Sequence, residues 1–260
     1  MKEEKFKIKN RKGLKIVGNI SFPEDPKGLA FTIHGLGGFK EQPLILVLVE
    51  TLLHHDNIVV NFDTTNSFGE SGGKYENATM QQHFEDLVDV INWSKTQVWY
   101  REPFILAGHS LGGYAVARYA EDYSSEVKAV FPFALVVAGE LSYKATEATD
   151  PEKLKEWKET GWKIEKSNSK PGVVKRLPYS HMEERLNHDL RPNARNLTMP
   201  VLFVVGENDK ICTTNNQNAL YDLVPGPKEI YIVKGAPHTF KELEHLEQLQ
   251  TIFESWLIKI

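Results

Sequence analysis

Short runs of consecutive apolar residues alternate along this chain with longer segments whose apolar positions recur every third or fourth residue. Leu29-Ala30-Phe31-Thr32-Ile33, Asn57-Ile58-Val59-Val60-Asn61-Phe62, Pro103-Phe104-Ile105-Leu106-Ala107, Val201-Leu202-Phe203-Val204-Val205 and Glu229-Ile230-Tyr231-Ile232-Val233 are runs of the first kind, and 127–137 is another. Five or six residues without polar alternation suit a strand covered on both faces. Residues 42–54, 80–95, 113–120, 215–223 and 241–259 have helical spacing; in 80–95, Phe84, Leu87, Val88 and Ile91 share one face. Such alternation predicts an α/β fold, a mostly parallel central sheet with helices on both faces. Residues 4–22 depart from it, reading as two strands around the turn Asn10-Arg11-Lys12-Gly13.

The rhythm breaks over residues 139–196, a stretch dense in Lys and Glu of nearly balanced sign and without long apolar strands. A helix is expected at 151–160, with Asp150 as its cap and Pro151 in its first position, then a turn at Lys170-Pro171-Gly172 and a second helix at 181–189. Trp157, Trp162, Val173, Val174 and Leu177 call for burial, so the stretch reads as a cap inserted over the carboxyl edge of the sheet rather than as a linker. The expected division is a core of 1–138 and 197–260 with a cap of 139–196.

A chain of 260 residues can hold this as one large domain with a substantial core. A net charge of −4 gives no reason to expect nucleic acid or an anionic membrane as partner. Cys212 is the single cysteine, which excludes an internal disulfide. The charged start lacks the apolar core of a signal peptide, and no apolar run approaches the roughly 18 residues of a membrane span. A cytoplasmic protein is expected.

The chemistry concentrates where the strand ending at Ala107 meets Gly108-His109-Ser110-Leu111-Gly112 and a helix follows. A serine on so tight a strand-to-helix turn is lifted clear of its neighbours, with the helix N-terminus beneath its hydroxyl. A serine hydroxyl becomes a nucleophile only when a base takes its proton and an acid orients that base. Of nine histidines, His238 lies in Lys234-Gly235-Ala236-Pro237-His238-Thr239-Phe240, a loop at the same carboxyl edge. Asp209, in the loop after strand 201–205, is the chosen acid, with Glu207 and Asp222 as rivals. His34-Gly35-Leu36-Gly37-Gly38 follows another strand, and Leu36 N–H with Leu111 N–H would flank a developing oxyanion. His34 is expected to hold that loop, His109 to be fixed in packing, Cys212 to be buried and inert, and His181 and His188 to lie on the cap surface. Trp157 and Trp162 are candidates for lining the substrate pocket or for packing the cap on its core. His54-His55 offers no zinc-like ligand spacing; no metal and no cofactor are expected.

These motifs resemble the α/β-hydrolase superfamily, specifically its small-capped serine esterases and lipases, the group that includes bacterial cinnamoyl/feruloyl esterases and monoacylglycerol lipases. The similarity runs from about Leu29 to the C-terminus through residues 34–38, 108–112, Gly206-x-x-Asp209-x-Ile211 and 236–240. Residues 62–73 are similar to the family's Asp-x-x-Gly-x-Gly-x-Ser loop, with Asn66 or Ser67 and Phe68 at two glycine positions. The resemblance implies a serine hydrolase of carboxylic esters acting through an acyl-enzyme, and the few apolar residues of the cap predict short-acyl or compact aromatic small molecules as its substrates, with a homodimer left open. A lipase of monoacylglycerols or lysophospholipids is the alternative. A thioesterase, a peptidase and a non-catalytic ligand-binding protein are the further ones.

Overall fold

The alternating pattern becomes a single eight-stranded sheet in the computed structural model, which describes residues 2–167 and 170–260. In chain order the first half runs β1 (Lys2–Lys9), β2 (Lys15–Phe22), β3 (Gly28–Ile33), α1 (Pro43–His54), β4 (Asn57–Asp63), α2 (Met80–Ser94), β5 (Phe104–His109), α3 (Leu111–Asp122) and β6 (Val127–Phe133). Then come α4 (Gly139–Thr149), α5 (Pro151–Thr160), β7 (Trp162–Lys166), β8 (Val174–Pro178), α6 (Ser180–Arg185), β9 (Val201–Gly206), α7 (Thr214–Tyr221), β10 (Lys228–Val233) and α8 (Leu243–Leu257). The strand order is β1-β2-β4-β3-β5-β6-β9-β10. The β1–β2 hairpin enters antiparallel to β4 and all later pairings are parallel.

Each apolar run divides with a period of two between the sheet's faces. Phe31, Ile33, Val60, Phe62, Leu106 and Phe203 join the cluster under α2 and α3, whereas Ala30, Val59, Ala107 and Val204 join the one under α1 and α8. Full burial of such a side chain contributes about 1.5–3 kcal/mol, and both faces collect it. β10 does not follow the expectation of a doubly covered strand. It is the sheet's edge, pairing with β9 alone, and leaves Tyr231 and Ile232 exposed. No helix among the described residues is long and apolar enough to cross a membrane.

Between β6 and β9 the chain leaves the sheet. Asp150 accepts a hydrogen bond from Lys153 N–H and Pro151 opens α5, as the sequence predicts. The second helix is shorter than expected, α4 falls where the sequence predicts no helix, and β7 and β8 form an antiparallel hairpin where it predicts no strand. Charged residues interleave with Trp162 and Ile164 along β7, so the hairpin has no apolar run to betray it. Trp157 and Leu177 are buried with Leu154 and Met182 in a small separate core, and Trp157 Nε1 donates to the Leu177 carbonyl at 3.0 Å. Val174 and Trp162 are exposed instead, on the face of the two-stranded ribbon turned away from the cavity over Ser110.

This segment is fastened to the sheet's helices by polar groups. Glu184 accepts hydrogen bonds from Met80 N–H and Gln81 N–H, both at 3.0 Å, at the start of α2. His181 Nδ1 donates to the Ala78 carbonyl at 2.7 Å, and His188 joins Tyr114 Oη to Glu184. His181 and His188 are therefore buried docking residues and not surface ones.

One buried acid makes stability pH-dependent. Glu121 on α3 has an unpartnered Oε1, and burial raises its carboxyl from 4.5 to about 9. The unfolded chain loses this proton first, so the stability of the neutral form is intact below pH 4.5 and is lost as pH rises toward 9. Glu121→Gln should raise Tm by about 5 °C or more at pH 9, at roughly 2–4 °C per kcal/mol, and by much less at pH 5. Thermal melts of both proteins across this range check it; a pH-independent difference would show Glu121 ionised in the fold.

Candidate active site

The turn from β5 into α3 is built at the limit of backbone approach. A Cβ at Gly108 would lie 2.4 Å from the Gly112 carbonyl oxygen, and one at Gly112 would lie 2.5 Å from that of Ile33. Both positions must be glycine for β5, α3 and the end of β3 to meet. Ser110 between them is held at φ 55°, ψ −113°, a conformation a non-glycine residue adopts only under constraint.

Ser110 Oγ lies 3.0 Å from His238 Nε2, and His238 Nδ1 lies 2.7 Å from Asp209 Oδ2. An ionised carboxylate only accepts, so Nδ1 carries the histidine proton and Nε2 is free to accept from the serine. Asp209 Oδ1 accepts the amides of Ile211 and Cys212, each at 2.8 Å. Burial pushes its carboxyl upward, but His238 and these amides outweigh burial and hold it below the usual range. Glu207 accepts from Gly235 N–H instead, at 2.9 Å, and Asp222 follows the end of α7. The structure thus brings together Ser110, His238 and Asp209 from loops remote in sequence.

Around them, buried histidines act as struts. His109 Nε2 donates to the His238 carbonyl at 2.9 Å, tying the serine turn to the histidine loop. His34 Nδ1 donates to the Gly35 carbonyl at 2.7 Å and Nε2 accepts from Thr64 N–H at 3.1 Å, which fixes the loop carrying Leu36. Burial drives His109 to about 3 and lowers His34, so both are neutral. The N–H groups of Leu36 and Leu111 have no acceptor among the described residues. Donors so placed can receive an oxyanion. The loop over 62–73 takes its turn with Asn66 at φ 60°, a left-handed conformation that asparagine tolerates.

A cavity of about 480 Å³ opens over Ser110. Leu36, Leu111 and His238 line it from the sheet side, and Leu154, Trp157 and Met182 from the segment above. Trp157 is thus a lining residue. Trp162 is not: its ring sits on the outer side of the hairpin, with the Arg176 guanidinium 5.0 Å from its centroid. Of the two tryptophans, Trp157 lines this cavity and Trp162 does not. Tyr75, Lys163 and Arg185 also line the cavity; no spacing in the sequence marks them. Asp209, Cys212 and His238 place donor atoms within 4.8 Å of one another. Burial keeps the Cys212 thiol protonated and the other two are bonded to each other, so this set does not suit a metal.

A family model described as serine aminopeptidase, S33 (Hydrolase_4) matches residues 24–244. The chain is 26% identical over 271 residues to an Escherichia coli protein named "Uncharacterized 31.7 kDa protein in traX-finO intergenic region", covering 93% of this chain and 92% of that one. Among solved structures, Est1E from Butyrivibrio proteoclasticus, with ferulic acid bound, superposes with a TM-score of 0.79 at 19% identity over 98% of both chains. Mouse alpha/beta hydrolase domain-containing protein 10 gives 0.78 at 20% identity, over 98% of this chain and 99% of its own.

Proposed function

The chain belongs to the serine aminopeptidase, S33 family of α/β hydrolases, and on that footing we propose that it cleaves carboxylic esters through an acyl-enzyme on Ser110. The observation that carries this reading is the unbroken series Ser110 Oγ, His238, Asp209 beside two unengaged amides. His238 Nε2 takes the hydroxyl proton as Oγ attacks the acyl carbon, and Asp209 stabilises the imidazolium that forms. Leu36 and Leu111 amides receive the tetrahedral oxyanion, and the imidazolium protonates the departing alcohol. The neutral histidine then activates water against the acyl-enzyme, releasing the acid and restoring Ser110.

Ester is favoured over peptide by the charge of the cavity. An aminopeptidase must hold a free α-ammonium, which calls for carboxylates. Here Lys153, Lys163, Lys175 and Arg185 face Glu165 and Asp150. The cavity volume suits short-acyl or compact aromatic esters better than long-chain glycerides. Residues 139–196 act as the cap, with Trp157 as the pocket contact.

A chromogenic ester panel, graded by acyl length and aromatic acyl group, tests this together with labelling by a fluorophosphonate probe. Turnover of short or aromatic esters with labelling at Ser110 is expected; preference for acyl chains of twelve or more carbons would move the reading to a lipase. The oxyanion donors have their own test. Leu36→Ala should lose activity only modestly, whereas Leu36→Pro, which deletes the N–H, should cost about a hundredfold or more in kcat with the fold checked by circular dichroism. Equal losses would show that the side chain matters through packing.

A further inference from the structure

Arg185 brings a buried positive charge to the cavity, and no carboxylate among the described residues pairs with it. It ends α6, is 8% exposed, and lines the same cavity as Ser110. One Nη2–H donates to His181 Nε2 at 3.0 Å, Nε–H has no partner, and no carboxylate among the described residues forms an ion pair with the guanidinium. The adjacent acid, Glu184, is committed to the amides of Met80 and Gln81 and to His188. His181 gives its own proton to Ala78 and is neutral, because burial holds it near 3. Two of these contacts fasten α6 to the core, so the guanidinium is held in place.

Burying a guanidinium unpaired is costly, and a protein keeps such a group where something else completes it. The charge around it points the same way. Lys153, Lys163 and Lys175 converge on Glu165, Lys153 also meets Asp150, and with Arg185 and Lys210 the cations of the cavity wall outnumber its carboxylates. Arg185 shares this cavity with Ser110 and His238. The guanidinium therefore belongs to the cavity that holds the reacting groups.

We infer that Arg185 binds a carboxylate on the substrate, making the preferred substrates acidic esters that carry a free carboxylate on the acyl or the alcohol part. The inference deepens the ester-hydrolase reading and rests on it. Arg185 acts by recognition: its free donors match the two oxygens of a carboxylate, and the reacting bond stays with Ser110 and His238.

Two chromogenic pairs test this in the full-length protein. One pair compares the mono-4-nitrophenyl ester of adipic acid with its methyl-capped diester, placing the carboxylate on the acyl part. The other compares 5-acetoxy-2-nitrobenzoate with its methyl ester, placing it on the alcohol part. In at least one pair, kcat/KM should favour the free carboxylate by about tenfold or more, mainly through KM. Arg185→Met should cut the carboxylated member by about a hundredfold, at least ten times its effect on the neutral one, and Arg185→Lys should fall between. Should Arg185→Met not fold, the wild type still decides: free adipate or 2-nitrobenzoate should inhibit neutral-ester turnover competitively, and far more strongly than the corresponding amides. Normal turnover of neutral esters without discrimination in either pair, and without inhibition by the free acids, overturns the inference while leaving the hydrolase reading intact. Neutral esters turned over equally by Ser110→Ala would instead remove that reading.

Discussion

Ser110→Ala is expected to lower kcat on a small chromogenic ester by about five to six orders of magnitude and to abolish fluorophosphonate labelling. The size follows from the site's construction. Oγ is the atom that His238 Nε2 faces at 3.0 Å, and without it neither an acyl-enzyme nor the proton transfer can occur. What remains is the proposed oxyanion pair at Leu36 and Leu111 and the shape of the cavity, enough for about a thousandfold over water in comparable sites. Alanine accepts the backbone at φ 55° no worse than serine, so the fold should persist and the loss is chemical. A folded Ser110→Ala protein with turnover within tenfold of the wild type would end the mechanism.

Asp209→Asn is expected to cost about four orders of magnitude in kcat with little change in fold. The Oδ1 position accepts two amides, from Ile211 and Cys212, and only the asparagine oxygen can take that place. Its NH2 group must then face His238 Nδ1 as a donor. The imidazole is forced into the tautomer with its proton on Nε2, directed at Ser110, and can no longer accept the hydroxyl proton. Glu207→Gln should leave turnover near that of the wild type, because Glu207 serves Gly235. Kinetics of both variants on one ester check this; an active Asp209→Asn beside an inactive Glu207→Gln would exchange the two acids. His238→Ala should approach the loss at Ser110, since the base and the nucleophile act as one unit.

The sheet was legible because each central strand is buried on two faces and so must be written as an unbroken apolar run, as at 201–205. The serine turn was legible because only glycine fits at 108 and 112. Asp209 could be chosen over Glu207 but not secured, because both sit in one loop and the difference lies in which carboxylate reaches His238. The segment between β6 and β9 was the least legible part. Its hairpin is held by ion pairs around Glu165 and by one buried tryptophan, and charge alternation of that kind looks the same in a solvated helix. Arg185 was invisible for a related reason: an arginine four residues after a histidine on a short helix carries no mark of burial, which comes from the docking of α6 through His181 and Glu184.

The seat of Glu184 at the start of α2 has a consequence for how substrate arrives. The carboxylate occupies the amides that a helix leaves unfilled at its first turn, and it gains from the helix dipole there. Swinging the segment away from the sheet would bare those amides and separate Tyr114 from His188. On the proposed reading, the roof over Ser110 is therefore a fixed vault and not a door. Molecules dissolved singly in water reach the serine through the standing opening of the cavity, and the rate of entry is set by their fit and charge rather than by a hinge or a lipid surface.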